Sequence, residues 1–99
     1  MADSTAMEYR PLGRSGLQVS VMGLGCMTFG MSIEEEAAGA IVARAMELGI
    51  NFFDTADVYG DRGKSETWLG RALGKRRSEV IIATKFAGPM SSELRDRQG

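Results

Sequence analysis

A carboxylate at Asp54, a phenol at Tyr59 and an amine at Lys85 are the residues of this chain best placed to do chemistry together. Asp54 follows the apolar run Ile50-Asn51-Phe52-Phe53, and Lys85 follows Val80-Ile81-Ile82-Ala83-Thr84. If the two runs are neighbouring parallel strands, they lie about 4.8 Å apart and the charged heads can pair. A tyrosine hydroxyl within reach then feels the ammonium. An isolated phenol titrates near pKa 10, and a nearby cation favours the ionised form, which moves the value toward neutral pH. This is what a tyrosine needs to act as a general acid toward a reacting oxygen. Singly, each residue has an ordinary reading: Asp54 as a turn or capping residue, Tyr59-Gly60 as a loop pair, Lys85 as a snorkelling surface side chain. Those readings do not explain a lysine directly beyond a buried apolar run, at the strand end where parallel α/β sheets bind ligands.

The surrounding sequence divides into short elements. Tyr9 to Leu12 and Leu17 to Val19 flank Gly13-Arg14-Ser15-Gly16 and predict a hairpin. Val21 to Leu24 predicts a short strand. Ser32-Ile33-Glu34-Glu35 has the spacing of a capping box. Ile33, Ala37, Ala40, Ile41, Ala45 and Leu48 recur at helical spacing, with Gly49 placed for a left-handed cap, so a helix is expected from Ile33 to Leu48. Ile50 to Phe53 is the next strand. Ser65 is expected to cap a second helix that runs through Leu73 and stops at Gly74, and Val80 to Thr84 forms the third strand. Strands separated by helices lie parallel with right-handed crossovers, and both apolar runs read as strands buried on two faces. The fold class is α/β. Gly23-Leu24-Gly25 begins like a dinucleotide fingerprint, but Thr28 occupies the third glycine position, so this motif does not separate a doubly wound sheet from a barrel.

Composition narrows the partners. The 99 residues are 43% hydrophobic and 25% charged, with 12 basic and 13 acidic side chains. A net charge of -1 gives no basis for binding nucleic acid or an anionic membrane surface, and no apolar run reaches the length of a membrane span. The start Met-Ala-Asp-Ser-Thr-Ala-Met-Glu-Tyr-Arg has neither a basic region nor an apolar one, so no signal peptide is read and a cytoplasmic location is expected. Cys26 is the single cysteine and histidine is absent, which leaves an internal disulfide, a zinc site and a histidine-based triad without support. Lys75-Arg76-Arg77 follows a helix end, where cations are favoured by the helix dipole, and reads as a solvated cluster.

The joint motif resembles a known family. Gly-Ile-Asn-Phe-Phe-Asp-Thr-Ala-Asp-Val-Tyr-Gly, then Ser-Glu-Thr-Trp-Leu-Gly-Arg-Ala-Leu, then Val-Ile-Ile-Ala-Thr-Lys-Phe is similar to the N-terminal part of an aldo-keto reductase. The opening Tyr-Arg-Pro-Leu-Gly-Arg-Ser-Gly-Leu-Gln-Val-Ser, with Gly-Leu-Gly-Cys-Met-Thr-Phe-Gly, resembles the bacterial branch related to potassium-channel β subunits. The resemblance implies the N-terminal part of a (β/α)8 TIM barrel with a leading β-hairpin that plugs its bottom. Residues 1–99 would then belong to one barrel domain, with the hairpin at about 9–19, the βαβαβ unit at about 21–86 and a polar tail at 87–99.

By the same resemblance, Tyr59 would donate a proton to a carbonyl oxygen, Lys85 would lower the pKa of Tyr59, and Asp54 would pair with Lys85. NADPH would supply hydride to an aldehyde or ketone, with NADH left open. Gly25, Cys26 and Met27 match the loop that lies against the nicotinamide ribose, which Asp54 also approaches. Cys26 stands where many members carry threonine; its ordinary reading is a small buried apolar residue. The family's fourth catalytic residue, a histidine on the next strand and an asparagine in channel-subunit relatives, falls beyond Gly99. Barrels of this kind typically need about 250 residues, so the chain is expected to be a truncated portion that is inactive alone. Two other functions fit parts of the pattern: a non-catalytic cofactor-binding or channel-accessory-like protein, and an aldolase-type barrel using Lys85 as a Schiff base. Asp54 argues against the last by keeping the amine charged.

Overall fold

Gly13 and Gly16 take φ of 57° and 84°, a backbone region that favours glycine, and turn the chain back on itself. The Ser15 hydroxyl closes the turn by donating to the Leu12 carbonyl at 2.7 Å and accepting from the Leu17 N–H at 3.2 Å. In the structure, a computed structural model that describes residues 6–86, the flanking segments pair antiparallel as β1 (Tyr9–Pro11) and β2 (Gln18–Ser20). The hairpin is the expected one. The tail expected at 87–99 lies outside the described residues.

The next strand is shorter and later than Val21 to Leu24: β3 is Leu24–Gly25. The Val21 N–H donates to the Glu8 carbonyl at 2.9 Å, so this residue prolongs the hairpin pairing and not the central sheet. Its side chain and that of Met22 are exposed.

Helix α1 spans Glu35–Glu47. The expected capping box does not form, because Ser32 and Ile33 are held in the preceding loop by N–H donation to the Thr28 carbonyl, each at 3.2 Å. Glu34 is the N-cap, without a side-chain bond, and the acidic Glu35 and Glu36 meet the positive end of the helix dipole. The C-terminus follows expectation. Gly49 takes φ of 90°, its N–H donates to the Met46 carbonyl, and the Ile50 N–H donates to the Ala45 carbonyl, both at 3.0 Å. This double bond pattern satisfies the last carbonyls of the helix. The buried face consists of Ala38, Val42 and Ala45, offset from the expected stripe, in which Ala37, Ala40 and Leu48 are exposed. Part of that stripe, Ala40, Ile41, Ala45 and Leu48, forms a second strip along the helix. With Leu24 and Ile50, residues Ile41, Ala45 and Leu48 line an open groove of about 370 Å³.

Strand β4 (Phe52–Asp54) lies between β3 and β5 (Ile81–Ala83), and all three run parallel. Phe53 is fully buried in a core with Val42, Leu69, Leu73, Phe29 and Ala38. Ile81, Ile82 and Ala83 are only half-buried, so β5 is not covered on two faces among the described residues, contrary to expectation. Asn51 ties the hairpin to the amino end of β4. Its amide donates to the Gln18 carbonyl at 2.9 Å and its carbonyl oxygen accepts from the Ser20 N–H at 2.7 Å.

Helix α2 is assigned to Tyr59–Leu73, but Gly60, Asp61, Arg62 and Gly63 all have positive φ and make a left-handed turn before the regular helix. Ser65 therefore lies inside the helix and does not cap it; its hydroxyl is bonded elsewhere in the core. Gly74, at φ of 50°, ends the helix as expected. A 3-10 turn, Gly74–Glu79, carries the exposed Lys75, Arg76 and Arg77. Arg71 of α2 reaches both carboxylate oxygens of Glu35 on α1, at 3.1 and 2.9 Å. No helix among the described residues is long and apolar enough to cross a membrane.

Candidate active site

Sheet register places the proposed residues. Gly25 stands beside Asp54, and Asp54 beside Ala83, at the carboxyl ends of β3, β4 and β5. Lys85 follows two residues after Ala83 and folds back over the strand ends. Its Nζ donates to Asp54 Oδ1 at 2.6 Å and to the Thr55 carbonyl at 2.8 Å. Tyr59 Oη lies 3.5 Å from the same nitrogen, at the outer limit of hydrogen bonding, and the ammonium sits 5.0 Å from the Tyr59 ring centroid. The three side chains read from the sequence thus meet around one cation.

The Lys85 ammonium is held above its ordinary range, first by the hydrogen bond to Asp54; desolvation opposes this, and the Tyr59 bond and the Coulombic attraction of Asp54 and Tyr59 add to it. It therefore stays protonated at neutral pH, which removes the basis for a Schiff-base amine. Both Lys85 and Asp54 are about half exposed, at 50% and 47%. A pair this open contributes little to fold stability, so its consequence is placement of charge.

The residues proposed along the first loop separate into two kinds. Gly25 is exposed, and a Cβ built there would meet nothing within 4 Å; Met27 is 54% exposed. Cys26 between them is fully buried, as its ordinary reading has it. Its N–H donates to the Asp54 carbonyl at 2.8 Å and its carbonyl accepts from Ser65 Oγ at 2.8 Å. Burial, and then the Asp54 charge, push its thiol from 9.0 up to about 11, the behaviour of an inert core cysteine. Cys26 shapes the loop from within, while Gly25 and Met27 face outward.

Sequence reasoning missed the buried hydroxyls that link these loops, Thr55 and Ser65, whose oxygens lie 2.7 Å apart. A signal was present: Ser65, Leu69 and Leu73 recur every four residues, which puts a polar side chain on the buried stripe of α2. It also missed the contact of Gly30 with Gly60, where a Cβ on residue 30 would lie 2.9 Å from the Gly60 Cα.

Comparison with known proteins identifies the family. The aldo/keto reductase family model matches residues 21–98. The oxidoreductase YrpG of Bacillus subtilis is 44% identical over 91 residues, covering 86% of this chain and 28% of that protein. YqkF, a second Bacillus subtilis oxidoreductase, is 49% identical over 79 residues, covering 80% of this chain and 25% of its own length. The holo form of the aldo-keto reductase AKR11C1 from Bacillus halodurans superposes with a TM-score of 0.79 at 42% identity, over 89% of this chain and 29% of that one. The chain thus spans little more than a quarter of the proteins it matches. Its parallel sheet and leading hairpin are the N-terminal part of a (β/α)8 barrel, which decides against a doubly wound sheet. On the extent of these matches, the chain belongs to the aldo/keto reductase family.

Proposed function

We propose that these residues form the proton-donating part of an NAD(P)H-dependent oxidoreductase that reduces aldehydes or ketones to alcohols, acting within a barrel completed by further strands. The observation that carries this reading is the Lys85 ammonium, fixed by Asp54 at 2.6 Å and the Thr55 carbonyl at 2.8 Å while lying against Tyr59. In this role Tyr59 Oη gives its proton to the substrate's carbonyl oxygen, and the ammonium beside it stabilises the charge left on the phenol oxygen. The substrate in this reading is a small-molecule carbonyl compound.

The chain's own residues fit a nicotinamide cofactor. Gly25 offers an open backbone surface next to the half-exposed Asp54 carboxylate, a combination suited to a flat ring and a sugar hydroxyl. Gly25, Met27 and Asp54 would hold that end of NADPH, the proposed form, with Cys26 supporting the loop. When bound, the cofactor supplies the hydride to the carbonyl carbon.

A direct test joins residues 1–99 to the remaining strands of the Bacillus halodurans reductase in place of its matching quarter. The completed barrel is expected to oxidise NADPH when an aromatic aldehyde is added, and Lys85→Met to lose that activity with its unfolding midpoint essentially unmoved. An aldehyde-independent rate, or full activity in Lys85→Met, would overturn the proposal.

A further inference from the structure

The segment that carries Tyr59 runs from Thr55 to Ser65, and its ends are fastened inside the protein. Both end residues are buried, at 1% and 0% exposure, and their hydroxyl oxygens lie 2.7 Å apart. Ser65 Oγ also lies 2.8 Å from the Cys26 carbonyl oxygen, which can only accept. A hydroxyl has a single proton. Ser65 therefore donates to Cys26, and Thr55 must donate to Ser65.

This relay joins all three strand ends of the site. The Thr55 N–H donates to the Ala83 carbonyl at 2.9 Å, and the Thr55 carbonyl accepts from Lys85 Nζ at 2.8 Å. Its side chain reaches α2 through Ser65, and Ser65 reaches the loop after β3 through Cys26. Neither hydroxyl faces the open side of the site, so neither meets substrate or cofactor. Between the fastened ends, Gly60, Asp61 and Arg62 follow a left-handed path with φ of 71°, 58° and 64°. That path is unfavourable for Asp61 and Arg62 and needs its ends fixed to persist.

We infer that the Thr55–Ser65 hydroxyl clasp is a positioning element for the proposed reaction, closing the loop that presents the Tyr59 phenol to Lys85. The inference rests on the reading of Tyr59 as proton donor, and it assigns to Thr55 and Ser65 a part in turnover beyond filling the core.

The test uses the completed barrel carrying the whole 99-residue chain, with Thr55→Val, Thr55→Ser and Ser65→Cys made singly, and Thr55→Val also made with Tyr59→Phe. Thr55→Val keeps the side chain's shape and removes the donor. It is expected to lower kcat about 10- to 100-fold, the range for a misplaced catalytic group, while the Kd for NADPH and the KM for aldehyde stay within about threefold. Thr55→Ser restores most of kcat. Ser65→Cys, nearly isosteric with a weaker donor, gives an intermediate loss and supplies the same comparison should Thr55→Val not fold. On top of Tyr59→Phe, Thr55→Val should cost nothing further, since the clasp acts through the phenol. Parental kcat in a folded Thr55→Val or Ser65→Cys protein would overturn the inference, as would a loss that persists undiminished in the Tyr59→Phe background. Parental turnover in Tyr59→Phe alone would remove the proton-donor reading itself, and that result is told apart because it appears before the clasp is touched.

Discussion

Gly60 presses so closely on Phe29 that a Cβ at residue 60 would lie 2.2 Å from the Phe29 carbonyl oxygen. The same residue takes φ of 71°, so both space and backbone conformation require glycine. Because Tyr59 directly precedes it, this contact locks the phenol-bearing loop to the loop after β3. Gly60→Ala should therefore cost at least the roughly 1–3 kcal/mol of a strained backbone position, and more from the clash. Gly13→Ala is the comparison: φ is 57° but nothing lies within 4 Å of the added carbon, so only the conformational part is lost. Denaturant midpoints of the two variants should rank Gly60→Ala clearly below Gly13→Ala; equal midpoints would contradict the close contact.

Asn51 fastens the hairpin, and its removal should be felt there first. Asn51→Ala leaves the Ser20 N–H without its 2.7 Å acceptor and the Gln18 carbonyl without its 2.9 Å donor. The expected cost is about 1–3 kcal/mol. Hydrogen exchange should quicken at Val19, Ser20 and Val21 while the Phe53 amide keeps its protection. Uniform loss across the sheet would show that Asn51 supports the whole fold and not the hairpin joint.

Cys26 predicts an alkaline loss of stability with a defined sign. Folding raises the thiol from 9.0 to about 11, so between those values the folded state keeps a proton that the unfolded chain has released. The contribution is present below pH about 9 and is lost as pH rises toward about 11, at up to about 1.4 kcal/mol per pH unit. Lys85, raised above its ordinary 10.5, also loses its contribution only on the alkaline side, so the variant that isolates the thiol is Cys26→Ala. Unfolding midpoints from pH 8 to pH 10.5 should fall less steeply in Cys26→Ala than in the parent. Parallel slopes would show that the thiol is not the titrating group.

The legible parts of this fold were those fixed by local chemistry. The Gly13–Gly16 turn and the Gly49 cap depend on neighbours a few residues away, which the sequence displays, and the parallel strands ending near Asp54 and Lys85 follow from apolar runs separated by a helix. The elements misplaced were those decided by partners that residue type and spacing do not reveal. Ser32 has capping-box spacing, but Thr28 claims the adjacent backbone; Val21 looks like a sheet residue, but Glu8 pairs with it. Ser65 has the type of a helix cap, yet its partners, Cys26 and Thr55, lie in other loops. In the candidate site the meeting of Asp54, Tyr59 and Lys85 followed from strand register, which apolar runs reveal. The left-handed turn from Gly60 to Gly63 did not, because Asp61 and Arg62 do not advertise positive φ.

The central claim is that Tyr59 is the proton donor, and a single substitution bears on it most directly. In the completed barrel, Tyr59→Phe removes the hydroxyl and leaves the ring beside Lys85. Turnover of an aromatic aldehyde should fall by about 10²- to 10⁴-fold, the usual contribution of a general acid, with the Kd for NADPH within about threefold of the parent. Turnover equal to the parent's, with the cofactor bound as tightly, would contradict the account.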